Sequence, residues 1–164
     1  MKSIIIALTP AGGTSQTAIL KTDNEGNGQR FTVMQVERPS GLTSDTFPFR
    51  YGDVYNIQEL LQKLAELQAW GYFTISSISK EDANSSTSLT ALLPVIKKVT
   101  VAVTNAGATL TIDGEVQSGL SWVGIRAKGA TVAYKAELEG YTTQESTLTV
   151  NTSDITESIT LVEE

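Results

Sequence analysis

Asn56-Ile57-Gln58-Glu59-Leu60-Leu61-Gln62-Lys63-Leu64-Ala65-Glu66-Leu67-Gln68-Ala69-Trp70-Gly71 is the one stretch of the chain with an uninterrupted helical pattern. Ile57, Leu60, Leu61, Leu64 and Leu67 follow the i, i+3, i+4, i+7 spacing that puts them on one face of a 3.6-residue turn, with Gln58, Gln62, Lys63 and Glu66 elsewhere. Asn56 followed three residues later by Glu59 predicts a capping box, in which each side chain accepts from a backbone N–H the helix start leaves unpaired. Gly71 predicts the left-handed stop, so the helix runs over about 56–70. Such a helix is ~21 Å long and marginal alone in water, so its greasy face must be covered. Read as heptads, Ile57 and Leu64 take position a, Leu60 and Leu67 take d, and Leu61 at e widens the stripe enough for a trimer or larger bundle. The same stripe would equally cover a sheet in its own domain, and two heptads do not separate the two arrangements. The first makes Ile57, Leu60, Leu61, Leu64, Leu67 and Trp70 an oligomer interface. Trp70, at position g, either seals that seam or docks against Tyr72 and Phe73.

Around this helix, composition sets the limits. The 164 residues suffice for one sizeable core or two small ones, and the abundance of Thr, Ser and Gly with only 18% charged residues leans toward strands and turns, so a mainly β chain is expected. A net charge of −6 leaves no basic face for phosphates, which excludes nucleic acid and an anionic membrane surface as partners. The absence of Cys and His removes thiol nucleophiles, imidazole bases, disulfides and the usual zinc ligands together. The apolar run near the N-terminus, Ile4 to Leu8, ends at Thr9-Pro10-Ala11-Gly12-Gly13 and reads as a strand; a secretion leader needs a longer one. No run approaches the roughly 18 residues a membrane span requires, and assembly in a cytoplasm followed by release in a larger particle is the expected location.

Taken in order, residues 2–8 and 30–37 read as a hairpin-like pair of strands, with Asp23 to Gln29 a loop by its Gly and Asn density. Pro39 to Asp45 is a second loop. Thr46-Phe47-Pro48-Phe49-Arg50-Tyr51 is an extended aromatic run leading to the helix, and Tyr72 to Ile78 alternates again. These make residues 1–79 an N-terminal assembly and attachment domain. Lys80 to Thr90 is almost free of apolar residues, so residues 80–94 read as a polar linker. From Val95 the pattern turns regular: Val99, Val101 and Val103, then Leu110 and Ile112, Thr131 to Ala136, Leu148 to Val150 and Ile155 to Leu161, separated by turn signals such as Asp113-Gly114 and Glu139-Gly140. Residues 95–164 therefore read as a small antiparallel sandwich with a core of Val101, Leu110, Ile112, Tyr134 and Val150.

No constellation carries chemistry. Ala11-Gly12-Gly13-Thr14 lacks the Lys of a phosphate loop, and Gly26-Asn27-Gly28 precedes a strand where a dinucleotide loop would precede a helix. Asp23, Asn24 and Glu25 lack the spacing and bidentate Glu of a calcium loop. Glu81 with Asp82, and Glu137 with Glu139 at i, i+2 of a strand, read as solvated carboxylates without an apolar pocket to separate their pKa values. Trp122 and Tyr141 are read as core anchors of the sandwich over exposed ligand platforms. No catalytic residue, cofactor site or metal site is expected.

Two resemblances follow from these residues. Val99-Thr100-Val101, Asn105 to Gly114, Lys128-Gly129, Val132-Ala133-Tyr134, Glu139-Gly140-Tyr141, Leu148-Thr149-Val150 and Ile159-Thr160-Leu161 resemble the PEGA-type β-sandwich, an immunoglobulin-like module, with Asn105-Ala106 where the module's name-giving Pro-Glu would stand. That resemblance implies display or binding without catalysis. Asp53 to Leu64, with Leu67 and Gly71-Tyr72, is similar to the short heptad segment of phage head-fibre and capsid-decoration proteins, which implies a homotrimeric stalk or base. Together they lead to the expectation of a non-enzymatic tailed-phage virion protein. It would attach to the major capsid protein or another virion protein, self-associate as a homotrimer, and display an Ig-like sandwich toward a host-surface glycan or protein. The alternative is a bacterial cell-surface or envelope module that binds glycan or protein through the PEGA-like domain.

Overall fold

The computed structural model describes residues 2–23 and 30–164. The fold is mainly β with one helix, and the chain divides into two units, one ending at Pro94 and one beginning at Val95.

In the N-terminal unit the elements are β1 (Lys2–Pro10), β2 (Gln16–Thr22), β3 (Phe31–Glu37), β4 (Val54–Tyr55), α1 (Ile57–Ala69), β5 (Phe73–Glu81) and β6 (Ser86–Ser88). They form one sheet in the order β4-β3-β2-β1-β5-β6, with β1 antiparallel to both β2 and β5. The expected pairing of residues 2–8 with 30–37 is corrected: β2 lies between them, and it was hidden because Ile19 on its outer face is as apolar as Ala18 and Leu20 on its inner one. The loop expected at Asp23 to Gln29 falls, beyond Asp23, outside the described residues.

The inward residues of the sheet, among them Ile4, Ile6, Leu8, Leu20, Phe31, Val33 and Ile78, meet Leu60, Leu61 and Leu64 of α1 in one core, with Ile57 and Leu67 packed at its margin. The helix therefore covers its own sheet. Both of its ends are built as the sequence predicts: Asn56 Oδ1 accepts from the Glu59 N–H at 2.8 Å, Glu59 Oε2 accepts from the Asn56 N–H at 2.9 Å, and Gly71 sits at φ +86°.

The aromatic run 46–51 is loop, since Pro48 has no N–H for a ladder, yet Phe47 and Phe49 are fully buried with ring centres 4.7 Å apart. Arg38 donates to the carbonyls of both, and Lys63 of α1 lies 5.1 Å over the Phe49 ring while donating to Tyr55 Oη at 2.8 Å. Tyr55 in turn donates to Asp53 Oδ2 at 3.2 Å. A cation, two rings and a carboxylate thus pin this loop to the helix.

Residues 80–94 correct the expected linker. Lys80 and Glu81 complete β5, Ser86–Ser88 pairs with it, and Thr90–Leu92 forms a 3-10 turn behind the buried Leu89. The segment is polar because β6 is an edge strand exposed at all three residues. Beyond β6, the free edge of β5 is closed by side chains: the Ile75 N–H donates to Gln68 Oε1 at 2.6 Å and the Ile78 N–H to Thr90 Oγ1 at 2.9 Å.

The C-terminal unit comprises β7 (Ile96–Val103), β8 (Thr109–Ile112), β9 (Glu115–Val116), β10 (Ser121–Ala127), β11 (Thr131–Glu137), β12 (Gln144–Thr149) and β13 (Ile155–Ile159). They form two sheets, β10-β7-β13 and β12-β11-β8-β9. Val99, Val101 and Val103 of one meet Leu110, Ile112, Val132 and Tyr134 of the other, with Val150 and Ile159 beside them. β7 pairs antiparallel with β10 and parallel with β13, the last strand of the unit. Trp122 and Tyr141 pack against this core, as expected of anchors. Glu139 lies in the turn after β11, past the strand that carries Glu137, so the two carboxylates do not share a strand face.

β10 was not legible in the sequence, because Gly124 breaks its pattern. The reason for that glycine is the Trp122 ring, which lies across it: a Cβ at Gly124 would come within 2.4 Å of the indole. Gly124→Ala must lift the ring out of its place, and we expect a loss of about 1–3 kcal/mol, the range for overpacking, with a change in tryptophan emission on the same titration. A variant as stable as the parent with unchanged emission would contradict this packing.

Candidate interaction surface

The residues expected at an oligomer seam are corrected by their burial. Leu60, Leu61 and Leu64 are covered to 2% exposure or less by their own chain, and Ile57 and Leu67 lean on the same core, so the stripe is used up inside the unit. A hydrophobic period reports that a face is buried and carries no information on what buries it. Of the six residues Trp70 is the most exposed, at 42%.

Trp70 sits in the C-cap of α1, Gly71 takes the left-handed conformation that ends the helix, and Tyr72, 38% exposed, follows directly in the chain. The Ala11 N–H donates to the Tyr72 carbonyl at 3.0 Å, which ties the β1–β2 turn to the backbone at the end of the helix. The loop after β3 joins this end as well: Gln16 receives the Ser40 N–H at 3.0 Å and donates to the Ser40 carbonyl at 3.1 Å. Three loops, 11–15, 39–44 and 69–74, therefore converge, and none of their residues is charged. In a chain of net charge −6 this is a neutral end made of two half-exposed rings among Gly, Ser and Thr. Rings that keep one face and a polar tip in water are the side chains that contribute most to protein contacts, because they bury large area at little cost in rotamer freedom. Sequence reasoning singled out Trp70 and missed Tyr72 and the loops, which only the fold brings together.

At the other end of α1, Ile57, Leu61, Leu92 and Pro94 line a shallow cleft of about 290 Å³. The C-terminal unit has a more polar cleft of about 480 Å³ between Gly107, Thr109, Glu137, Glu139 and Thr143. Among the described residues no three His, Cys, Asp or Glu side chains gather as a metal-ligand set, and no helix is long and apolar enough to cross a membrane.

The titrating groups of the unit brace its framework. Asp113, held at φ +50° in the β8–β9 turn, accepts from the Ala133 N–H at 2.9 Å and from Arg126 at 3.0 Å, and these bonds hold its carboxyl below the usual range, the backbone N–H contributing most. Burial, with the charge and hydrogen bond of Glu157, raises the Tyr134 phenol, which donates to Glu157 at 3.2 Å. The signs are opposite in consequence. Asp113 stabilises the unit above the ordinary Asp pKa of about 3.9, and that contribution is lost as pH falls below it; Tyr134 stabilises the unit below about pH 10 and loses its contribution as pH rises further. Melting of this unit followed against pH should decline at both limits, and Tyr134→Phe should make the alkaline limb shallower, the remainder coming from Tyr141 and Lys135, which their bonds to Glu163 and Glu137 also raise, while the acid limb stays in place. An alkaline limb unchanged by Tyr134→Phe would contradict the assignment.

Compared with known proteins, the chain matches no family, no curated protein and no solved structure.

Proposed function

We propose that the chain is a non-enzymatic structural protein of a tailed-phage virion, a head fibre or capsid-decoration protein, whose N-terminal unit attaches through the neutral aromatic end while the C-terminal unit, read as an Ig-like sandwich, is displayed. The observation that carries this reading is the convergence of Trp70 and Tyr72 with the loops at Ala11 and Ser40. Such a surface suits a protein partner that offers shape and apolar contact without charge. The resemblances of the helix segment to head-fibre proteins and of residues 97–162 to display modules support the same direction, as does a composition without imidazole or thiol. Self-association remains part of the proposal, but the helix stripe no longer supports a three-fold seam.

Immunogold labelling with antibody to the chain should mark the heads of purified phage particles. Trp70→Ala combined with Tyr72→Ala should remove the label while leaving the protein folded. Finding the chain in the cell envelope, and absent from particles, would refute the proposal in favour of an envelope module that binds glycan or protein.

A further inference from the structure

β10 is the outer strand of its sheet, and the bonds at its two ends fix which of its backbone groups are free. The Val103 N–H donates to the Leu120 carbonyl at 2.8 Å, and the Lys128 N–H donates to the Val95 carbonyl at 2.8 Å. Both bonds lie in the register that pairs Ser121 with Ala102 and Gly124 with Val99. In an antiparallel ladder hydrogen-bonded pairs alternate with non-bonded ones, so Trp122, Gly124 and Arg126 direct their N–H and C=O groups at β7. Ser121, Val123, Ile125 and Ala127 direct theirs away from it. The Ile125 and Ala127 carbonyls agree with this parity: the first accepts from the part-buried guanidinium of Arg126 at 3.1 Å and the second from the Ala130 N–H at 3.0 Å, each keeping a second lone pair for a partner N–H. The pleat sends the side chains of Val123 and Ile125 to the outer face of the sheet, where Val123 is 46% exposed.

A free edge of this kind is a template for another strand, and the strand's own sequence favours itself as the occupant. Reversed about Gly124, Ser-Trp-Val-Gly-Ile-Arg-Ala sets Val123 opposite Ile125, Trp122 opposite Arg126 and Ser121 opposite Ala127. Aliphatic meets aliphatic, an indole meets a guanidinium of the kind that already stacks on it at 5.1 Å within the chain, and no like charges face each other. The outward groups of Val123 and Ile125 then fall in hydrogen-bonded pairs, as the parity requires. Of the other outer strands of this unit, β12 presents Gln144, Glu145, Ser146 and Thr147, all exposed and none of them apolar, and the exposed residues of β13 are Thr156 and Ser158.

We propose that the free edge of β10 is a self-association surface, on which a second copy pairs its own β10 antiparallel about a two-fold axis at Gly124, joining two three-stranded sheets into one of six. The contact is isologous, so it closes at two copies. It rests on the backbone of the C-terminal unit and stands whether or not the chain belongs to a virion.

Sedimentation equilibrium of the full chain should show a mass that doubles with concentration. Val123→Pro removes an N–H that points out of the fold, where an edge strand tolerates proline; it should abolish the doubling, as should Val123→Lys, with melting of both units retained. The register is tested separately in this cysteine-free chain. Mixed Val123→Cys and Ile125→Cys proteins should form a disulfide-linked dimer on oxidation, because facing residues in a bonded pair lie about 5.5 Å apart. Neither variant alone should cross-link, its two copies being offset beyond the roughly 7 Å that a disulfide spans. A chain that stays monomeric at every concentration, a doubling untouched by both Val123 variants, or cross-linking by either cysteine variant alone as efficiently as by the mixture would each overturn the proposal.

Discussion

Leu64→Asp is expected to unfold the N-terminal unit outright while the C-terminal unit keeps its own transition. Leu64 is 0% exposed between the helix and the sheet. Removing its side chain alone costs about 2–5 kcal/mol, and a carboxylate left there is forced either to ionise without a partner or to bind a proton at a pH where it would otherwise be charged. Together these exceed about 5 kcal/mol, which is the lower end of the total stability of an ordinary domain. The C-terminal core shares no residue with the cluster that holds Leu64. Calorimetry of the variant should therefore retain one of two transitions, with helical circular dichroism lost. A variant that keeps its helix but changes its mass would show that the stripe faces another copy after all.

The second large effect is expected at a residue outside every regular element. Phe49→Ala should destabilise the same unit by about 3–5 kcal/mol, although it lies in a loop, because its ring is fully buried between Phe47, Tyr55 and the Lys63 ammonium. Lys63→Met isolates one part of this contact: it keeps the aliphatic stem against the ring and removes the cation and its bond to Tyr55. We expect it to cost about 1–2 kcal/mol, the sum of a partly buried cation–π contact and one hydrogen bond. Denaturant titration of the two variants decides the point. If Phe49→Ala costs no more than Lys63→Met, the ring is not a core residue and the loop is held by its polar bonds alone.

These two positions show what the sequence made legible. The helix could be read to the residue at both ends because its signals are local: Asn56 and Glu59 lie one turn apart, and Gly71 marks its own conformation. The sandwich core of Val101, Leu110, Ile112, Tyr134 and Val150 was equally readable, since one-sided burial leaves an alternating trace. What failed were the relations between distant segments. The partner of the leucine stripe is a sheet assembled from strands on both sides of it in sequence, so no window around the helix contains the answer. Phe47 and Phe49 alternate like a strand around a proline that forbids one. β6 has the composition of a linker because nothing covers it. The aromatic end was half visible, in Trp70, and completed only when the turns at Ala11 and Ser40 arrived beside it.

The parallel pairing of β7 with β13 has a mechanical consequence. Ile155 lies beside Val99 and Ile159 beside Val103, so the chain enters this unit at one end of the pair and leaves it at the other. Tension applied through the flanking chain draws the two strands past each other along their length, and every bond between them is loaded at once, where a hairpin pulled from its open end would yield one bond after another. Resistance to such a load is set by the rate of the unfolding step and not by equilibrium stability. A unit tethered at one end and pulled at the other would therefore hold on short timescales at forces that a sheet of the same stability, loaded by peeling, would not withstand.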